Sequence, residues 1–173
     1  MKEKLKKLKL LVLDVDGVLT DGKLYYNENG EFQKVFNVKD GFGIKIIKNY
    51  LNVAIISGNH SSIILKRAKD LKIKHCFLGI EDKKKCITEL SEQLSIKKNE
   101  IMFMGDDLND LKVKDSIGIF VCPADSHFLV KEKSDIVTKN LGGQGAVREI
   151  IDLILEEKNL IKEYKDGINS LNI

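Results

Sequence analysis

Short apolar runs alternate along the chain with helix-length stretches in which apolar residues recur every three or four positions. Such short runs are typical of buried strands, and the longer periodic stretches are typical of amphipathic helices. Strands are predicted at Leu10–Leu13, Val53–Ile56, His75–Leu78, Ile101–Met104, Ile117–Phe120 and Asp135–Val137, and helices at Gly41–Leu51, Ser61–Leu71, Lys84–Leu94, Leu108–Val113, Ser126–Lys131 and Ala146–Glu157. This alternation predicts βα units that feed a parallel sheet. We therefore expect an α/β fold, a Rossmann-like three-layer sandwich around a central parallel sheet.

One segment departs from the alternation, between the first strand and the first long helix. Residues 22–36 contain an Asn-Gly pair at positions 29–30 between two strand-like runs, which is a strong hairpin signal. The arms carry Tyr25, Tyr26 and Phe32, which is more apolar surface than a lone hairpin can bury. The preferred interpretation is that this hairpin packs onto a partner subunit. The alternative, that it folds back on its own domain, stays open.

The length and composition fit one domain. A chain of 173 residues with 43% hydrophobic and 32% charged residues can build an ordinary core and lies far from the composition of disordered proteins. We expect a single domain over residues 1–173, with a core at about 8–157, the hairpin at about 22–36 and a flexible tail after about residue 160.

Charge and cysteine usage exclude several classes of protein. The net charge of +3 comes from lysines scattered over every helix-like segment, so no nucleic-acid partner is expected. Apolar runs are far too short to span a bilayer, and the stretch behind the Lys-rich start is broken at Asp14. Cys76, Cys86 and Cys122 have no CxxC spacing, which argues against disulfides and zinc sites. A cytoplasmic protein with no membrane partner is expected.

Acidic side chains follow two of the predicted strands directly. Asp14 and Asp16 come after the first strand, and Asp106, Asp107 and Asp110 come after the fourth. The carboxyl ends of parallel strands meet at one edge of the sheet, which is where open α/β sheets bind ligands. Carboxylates so close together repel one another unless a cation neutralises them, and oxygen ligands suit Mg²⁺. The sequence therefore predicts a magnesium site.

Two further segments offer groups that bind phosphate. Ser57 and Gly58 follow the second strand, where a hydroxyl and free backbone N–H groups form a phosphate cradle; taken alone, Ser57 also fits a plain helix N-cap. A run of lysines follows the third strand, and Lys83 is preferred as a phosphate ligand because it lies nearest the strand end. Spacing alone leaves Lys84 open, and lysine runs are often solvated faces.

The ordered motifs Asp-x-Asp-Gly, Ser-Gly, Lys and Gly-Asp-Asp-x-x-Asp, each at the tip of a successive strand, resemble the haloacid dehalogenase superfamily of phosphotransferases. The segments 16–22, 36–43, 105–110 and 142–149 also look like those of the 3-deoxy-D-manno-octulosonate 8-phosphate phosphatases. That resemblance covers roughly residues 8 to 157. It implies a subfamily without a cap domain, in which a hairpin follows the first motif and four subunits close each other's sites.

The resemblance also implies a mechanism. Asp14 would attack phosphorus and form an aspartyl-phosphate, while Asp16 would protonate the departing sugar oxygen and then activate water. Mg²⁺ would be held by Asp14, the backbone carbonyl of Asp16 and Asp106. The implied substrate is 3-deoxy-D-manno-octulosonate 8-phosphate, which gives the free sugar acid and phosphate for lipopolysaccharide sugar biosynthesis.

The remaining site residues follow from the same resemblance. Ser57, the Gly58 N–H and Lys83 would neutralise the transferring phosphoryl group. Asp107 and Asp110 would lie at the rim of the site or behind the metal ligands.

Recognition of the sugar is expected to involve Thr20, Arg67 and Arg148. The glycine-rich segment 142–145 could carry the Arg148 guanidinium to the sugar-acid carboxylate, including that of a neighbouring subunit, although a helix-surface position is the alternative. Asn59 departs from the arginine that usually follows Ser/Thr-Gly in the octulosonate enzymes. A phosphatase for a nine-carbon ulosonate 9-phosphate, such as N-acylneuraminate or KDN 9-phosphate, is therefore the second candidate.

Two other readings of the acidic motifs carry less weight. A receiver domain also surrounds an aspartate with acidic, hydroxyl and lysine groups, but its acceptor lies on the third strand, whereas Asp14 follows the first. A catalytically silent relative would lack one of the key groups, and Asp14, Asp16, Ser57 and Asp106 are all present.

Overall fold

The computed structural model describes residues 1–161, and its centre is a parallel sheet of six strands. The strands are β1 (Leu10–Leu13), β4 (Asn52–Ile56), β5 (His75–Phe77), β6 (Ile101–Met104), β7 (Ile119–Cys122) and β8 (Ile136–Val137). Their order across the sheet is β5-β4-β1-β6-β7-β8. Strand β1 is paired on both sides, with β4 and with β6, so its carboxyl end opens at the middle of the sheet.

Helices cover both faces of this sheet. They are α1 (Lys2–Lys6), α2 (Val38–Ile47), α3 (Ser62–Asp70), α4 (Lys83–Gln93), α5 (Phe128–Lys133) and α6 (Ala146–Glu157), with 3-10 helices at Lys98–Glu100 and Leu108–Ser116. Residues of α2, α3 and α6 share one apolar core with Leu11 and Leu13, whereas α4 and α5 share the other with Leu10 and Val12. Successive side chains of a strand point to opposite faces, which divides the core in two. The three-layer α/β sandwich is confirmed.

The insertion after β1 forms a separate antiparallel hairpin of β2 (Tyr25–Asn27) and β3 (Gly30–Gln33). The turn residues are Glu28 and Asn29, and Gly30 follows them as the first residue of β3 with a φ of 107°, which glycine adopts readily. Tyr26 and Phe32 are 65% and 54% exposed, so their own domain does not bury these two rings, whereas Tyr25 is half-buried. Between β1 and β4 the chain forms only this hairpin and α2, which leaves no room for a cap domain.

Four predicted elements differ from the observed ones by two residues or more at an end, and one of them is the helix predicted at Ser126–Lys131, which is α5 at Phe128–Lys133. The first helix begins at Val38 rather than Gly41, because the Asn37 side chain accepts a hydrogen bond from the Lys39 N–H and caps it. Strand β7 lies two residues later than predicted, because it pairs with β6 in a register that joins Met102 to Ile119 and Met104 to Val121. The segment predicted as a helix at 108–113 is a 3-10 helix that runs to Ser116. The predicted flexible tail falls mostly outside the described residues.

Candidate active site

Four elements deliver the predicted chemistry to one cleft at the carboxyl edge of the sheet. Asp14 follows β1, Ser57 follows β4, Lys83 opens α4 after β5, and Asp106 follows β6. The cleft has a volume of about 310 Å³. It is lined by Asp14, Asp16, Gly17, Gly22, Ser57, Gly58, Asn59, Lys83, Asp106, Asp107 and Asn109. The strand ends therefore bring together the groups that the sequence motifs single out.

A buried lysine joins two aspartates at the base of the cleft. Lys83 Nζ lies 2.6 Å from Asp14 Oδ2 and 2.6 Å from Asp110 Oδ1, and the Asp110 side chain is fully buried. Burial and the neighbouring Asp110 carboxylate raise the pKa of Asp14, against the lowering effect of Lys83. Lys84, by contrast, is about half exposed and lies 3.9 Å from Asp115. Of the two lysines left open by spacing, the structure brings Lys83 to the cleft.

Asp106 is the carboxylate that best fits a metal ion. Burial and the charges of Asp14 and Asp110 raise its pKa to about 8, and no side chain in residues 1–161 bonds to its carboxylate oxygens. Oxygens of Asp14, Asp106 and Asp110 lie within 4.8 Å of one another. Such a set of hard oxygen donors suits Mg²⁺. Asp110 is otherwise occupied, because its second oxygen accepts the Asp106 N–H at 3.0 Å.

Gly17 allows Asp106 to approach the loop after β1. Its φ is +77°, and a Cβ placed there would lie 2.1 Å from Asp106 Oδ2. Only glycine meets both demands, since other residues rarely adopt that backbone conformation and would displace the carboxylate. Gly17 of the first motif is therefore required for the observed position of Asp106 in the last motif.

Asp16 is held at the rim by side chains from two other elements. Its Oδ1 accepts a hydrogen bond from Lys34 Nζ at 2.6 Å, and its Oδ2 accepts one from Asn59 Nδ2 at 3.1 Å. Glu31, on the hairpin, pairs with Lys34 at 2.7 Å. No local motif identifies Lys34 or Glu31 as a residue of the site. Lys34 is one of many lysines in the chain, and only the fold brings its ammonium to Asp16.

The segment after β4 forms a compact turn before α3. The Ser57 hydroxyl accepts the Asn59 N–H at 3.1 Å, and the Asn59 side chain accepts the Ser61 N–H at 2.8 Å. Helix α3 starts only at Ser62, so Ser57 is not its N-cap. Asp107, by contrast, caps the 3-10 helix, accepting the Leu108 N–H at 2.7 Å, and is exposed at the rim.

Thr20 and Arg67 lie outside the cleft of their own chain. The Thr20 hydroxyl accepts the Gly22 N–H at 3.2 Å and stabilises the turn after β1. The Arg67 guanidinium stacks over the Phe36 ring, with 5.6 Å between the guanidinium carbon and the ring centroid. Arg67 also approaches the carbonyl oxygen of Asn37. Contact with the sugar stays a prediction for both residues.

Arg148 and the glycine-rich segment also lie away from the cleft. Arg148 Nε donates to Asp152 Oδ1 at 2.7 Å on α6. The segment 142–145 does not reach over the site; it packs against the backbone of the loop after β1, with the Gly143 N–H donating to the Val18 carbonyl at 2.9 Å. A Cβ at Gly142 would lie 1.9 Å from the Gly17 carbonyl oxygen, so this close packing requires glycine. Any contact of Arg148 with substrate would have to come from a neighbouring subunit.

An α/β sandwich with an aspartate pair, a lysine and a second acidic group at adjacent strand ends has the architecture of a phosphoryl-transfer enzyme. A family model of the haloacid dehalogenase-like hydrolases matches residues 79–151. The chain is 40% identical, over 94% of its length and 87% of the relative's, to the 3-deoxy-D-manno-octulosonate 8-phosphate phosphatase KdsC of Escherichia coli K12. It belongs to the haloacid dehalogenase-like hydrolases, in the branch of the 3-deoxy-D-manno-octulosonate 8-phosphate phosphatases.

Solved structures of that branch share the whole fold. The cobalt-bound phosphatase from Haemophilus influenzae is 40% identical with a TM-score of 0.88, and the match covers 90% of this chain and 92% of that one. The phosphatase from Moraxella catarrhalis, in complex with magnesium, phosphate and KDO, is 36% identical with a TM-score of 0.92 and coverages of 96% and 97%. In the part of this chain that the structure describes, no helix is long and apolar enough to cross a membrane.

Proposed function

We propose that the protein is a Mg²⁺-dependent phosphatase that converts 3-deoxy-D-manno-octulosonate 8-phosphate into the free sugar acid and phosphate. The observation that carries the proposal is 40% identity to a phosphatase of that name over 94% of the chain. The cleft supports it independently, because Asp14, Lys83 and Asp106 converge at the end of β1 as a phosphoryl transfer requires. Release of the sugar acid would feed lipopolysaccharide sugar biosynthesis.

The reaction takes two steps at one carboxylate. In the first, an Asp14 oxygen attacks phosphorus, the bond between phosphorus and the sugar oxygen breaks, and Asp16 gives that oxygen a proton. In the second, water attacks the aspartyl-phosphate, its proton goes to Asp16, and the Asp14 carboxylate is released. Both residues line the cleft, and Asp14 is the more deeply buried of the two.

Charge in the cleft is balanced by three sets of groups. Mg²⁺, when bound by Asp14, Asp106 and the backbone carbonyl of Asp16, neutralises the phosphate oxygens and removes their repulsion of the attacking carboxylate. Lys83 adds a fixed cation 2.6 Å from Asp14. Ser57 and the Gly58 N–H donate to the transferring group, while Asp110 holds Lys83 in place.

The eight-carbon substrate is preferred over the nine-carbon one because the matched relatives are octulosonate 8-phosphate phosphatases. Asn59 stands where the subfamily usually has arginine, and it lines the cleft. In this structure its amide donates to Asp16. The ratio of kcat/KM for octulosonate 8-phosphate to that for the 9-phosphates decides between the two sugars.

We infer that the enzyme acts as a homotetramer through the hairpin. Large apolar side chains of the hairpin and the residues after it are about half exposed or more, which is unusual for a surface without a partner. They are Leu24, Tyr26, Phe32, Val35 and Val38. The compartment we propose is the cytoplasm, where the three free cysteines would stay reduced.

The test is phosphate release from octulosonate 8-phosphate and from the 9-phosphates, with Mg²⁺ and with EDTA. We expect Mg²⁺-dependent release that favours the 8-phosphate and is abolished in Asp14→Asn. Asp115→Asn is the matched control, since the Asp115 side chain is 89% exposed. Equal release in EDTA, or full activity of Asp14→Asn, would contradict the proposal.

A further inference from the structure

The acid/base residue Asp16 has both carboxylate oxygens bound by side chains that lie far from it in sequence. Lys34, 18 residues later, donates to Oδ1 at 2.6 Å, and Asn59, 43 residues later, donates to Oδ2 at 3.1 Å. The Asp16 side chain is still 30% exposed to the cleft. Its orientation is therefore set from outside its own loop, while one face stays open to a substrate.

Lys34 is unusual for a residue of an exposed hairpin. Its side chain is 0% exposed, although the nearby Phe32 and Val35 are about half exposed. Burying an ammonium is costly unless anions surround it, and two carboxylates do so here, Asp16 at 2.6 Å and Glu31 at 2.7 Å. Burying the Lys34 ammonium does not extend an apolar core, so the arrangement indicates a role of Lys34 at the active site.

Glu31 ties the ammonium to the hairpin. It lies three residues before Lys34 and is itself largely buried, at 9% side-chain exposure. Its second oxygen lies 3.4 Å from Asn59 Nδ2, so the amide bridges Glu31 and Asp16. The four side chains form one closed network over the loop that carries Asp16.

We propose that Lys34, fixed by Glu31, is a positioning residue that aims the Asp16 carboxylate at the oxygen of the leaving group. The inference deepens the proposed function and rests on it. The hairpin then contributes to catalysis within its own subunit, apart from any contact it makes with a neighbour. Asn59 completes the alignment through the other carboxylate oxygen of Asp16.

Two substrates separate this role from a general structural one. A sugar alkoxide is a poor leaving group and needs the proton that Asp16 delivers, whereas p-nitrophenolate is a stable anion and leaves without one. Hydrolysis of the aspartyl-phosphate needs Asp16 as a base with either substrate. Misaligning Asp16 should therefore spare only the first step with p-nitrophenyl phosphate.

The experiment is rapid-quench kinetics on Lys34→Met in the full chain with Mg²⁺. With p-nitrophenyl phosphate we expect phosphorylation within about threefold of wild type, then a burst of about one p-nitrophenol per subunit and a steady state at least about tenfold slower. With octulosonate 8-phosphate we expect no burst and a loss of about 10²-fold. Lys23→Met is the control, because Lys23 is also in the insertion and is 71% exposed.

Glu31→Gln provides a second route if Lys34→Met fails to fold. Glu31→Gln keeps the Lys34 ammonium but removes the carboxylate charge that holds it, so we expect the same kinetic pattern with a smaller burst of p-nitrophenol. Equal losses in the first step for both substrates, or wild-type kinetics in the Lys34 and Glu31 variants, would overturn the positioning role while leaving the proposed function intact. A wild type without Mg²⁺-dependent phosphatase activity would overturn both.

Discussion

Replacing Lys83 by methionine tests the electrostatic design of the cleft. The two side chains have similar length, so Lys83→Met removes the charge with little change in packing. Asp14 and Asp110 each lose a cation at 2.6 Å, and their side chains are 10% and 0% exposed. The substitution therefore leaves two buried carboxylates without their shared counter-ion.

The expected loss of stability is large for a single substitution. At an effective dielectric constant of about 20, each contact of 2.6 Å corresponds to about 6 kcal/mol of attraction before desolvation is counted. The cost of removing one partner from a buried ion pair is typically about 3–5 kcal/mol, because the other charge stays buried. We expect a loss in that range for the metal-free protein at neutral pH. The loss should grow as pH rises, since protonated carboxyls need no counter-ion.

The assay is urea unfolding at one fixed protein concentration, with EDTA and with saturating Mg²⁺. Mg²⁺ should narrow the gap between Lys83→Met and wild type, because a bound cation replaces part of the lost charge. Lys84→Met is the matched control and should change stability by less than about 0.5 kcal/mol, since its partner Asp115 is solvent-exposed. If Lys83→Met were as stable as wild type in EDTA, the buried ion network would not carry the proposed energy.

Three further predictions concern the metal, the first loop and the subunit interface. Because the pKa of Asp106 is raised to about 8, the free energy of unfolding of the metal-free protein should fall as pH rises from about 4 to 8. Over pH 6 to 8 the Mg²⁺ concentration for half-maximal binding, measured calorimetrically, should fall by up to about tenfold per pH unit. Gly17→Ala should displace Asp106 and weaken Mg²⁺ binding at least about tenfold, because the added Cβ would lie 2.1 Å from Asp106 Oδ2; unchanged binding would contradict this clash. Tyr26→Lys should shift the assembly towards smaller species in light scattering, because a 65% exposed ring would be replaced by a charge.

The sheet could be predicted because its strands are short apolar runs buried on both faces. Strand β1 matches its predicted bounds, and so do β6 and α6, where apolar periodicity and turn residues agree. The starts of α2 and β7 differ from the prediction for two reasons. Asn37 caps α2 through the Lys39 N–H, a local signal that apolar periodicity does not include, whereas the bounds of β7 depend on its pairing with β6. Register across the sheet, rather than propensity, sets the bounds of β7.

The candidate site contains residues that the local sequence identifies and residues that only the fold brings to the cleft. Asp14, Ser57 and Asp106 stand directly after strands, and a parallel sheet brings strand ends together whatever the side chains between them. Lys34 follows no such rule, because it stands after β3 of the inserted hairpin and only the fold brings its ammonium to Asp16. The glycine-rich segment shows the converse. Its glycines predict a loop that covers the cleft. In the structure they instead allow the backbone of 142–145 to pack directly on the loop that contains Gly17.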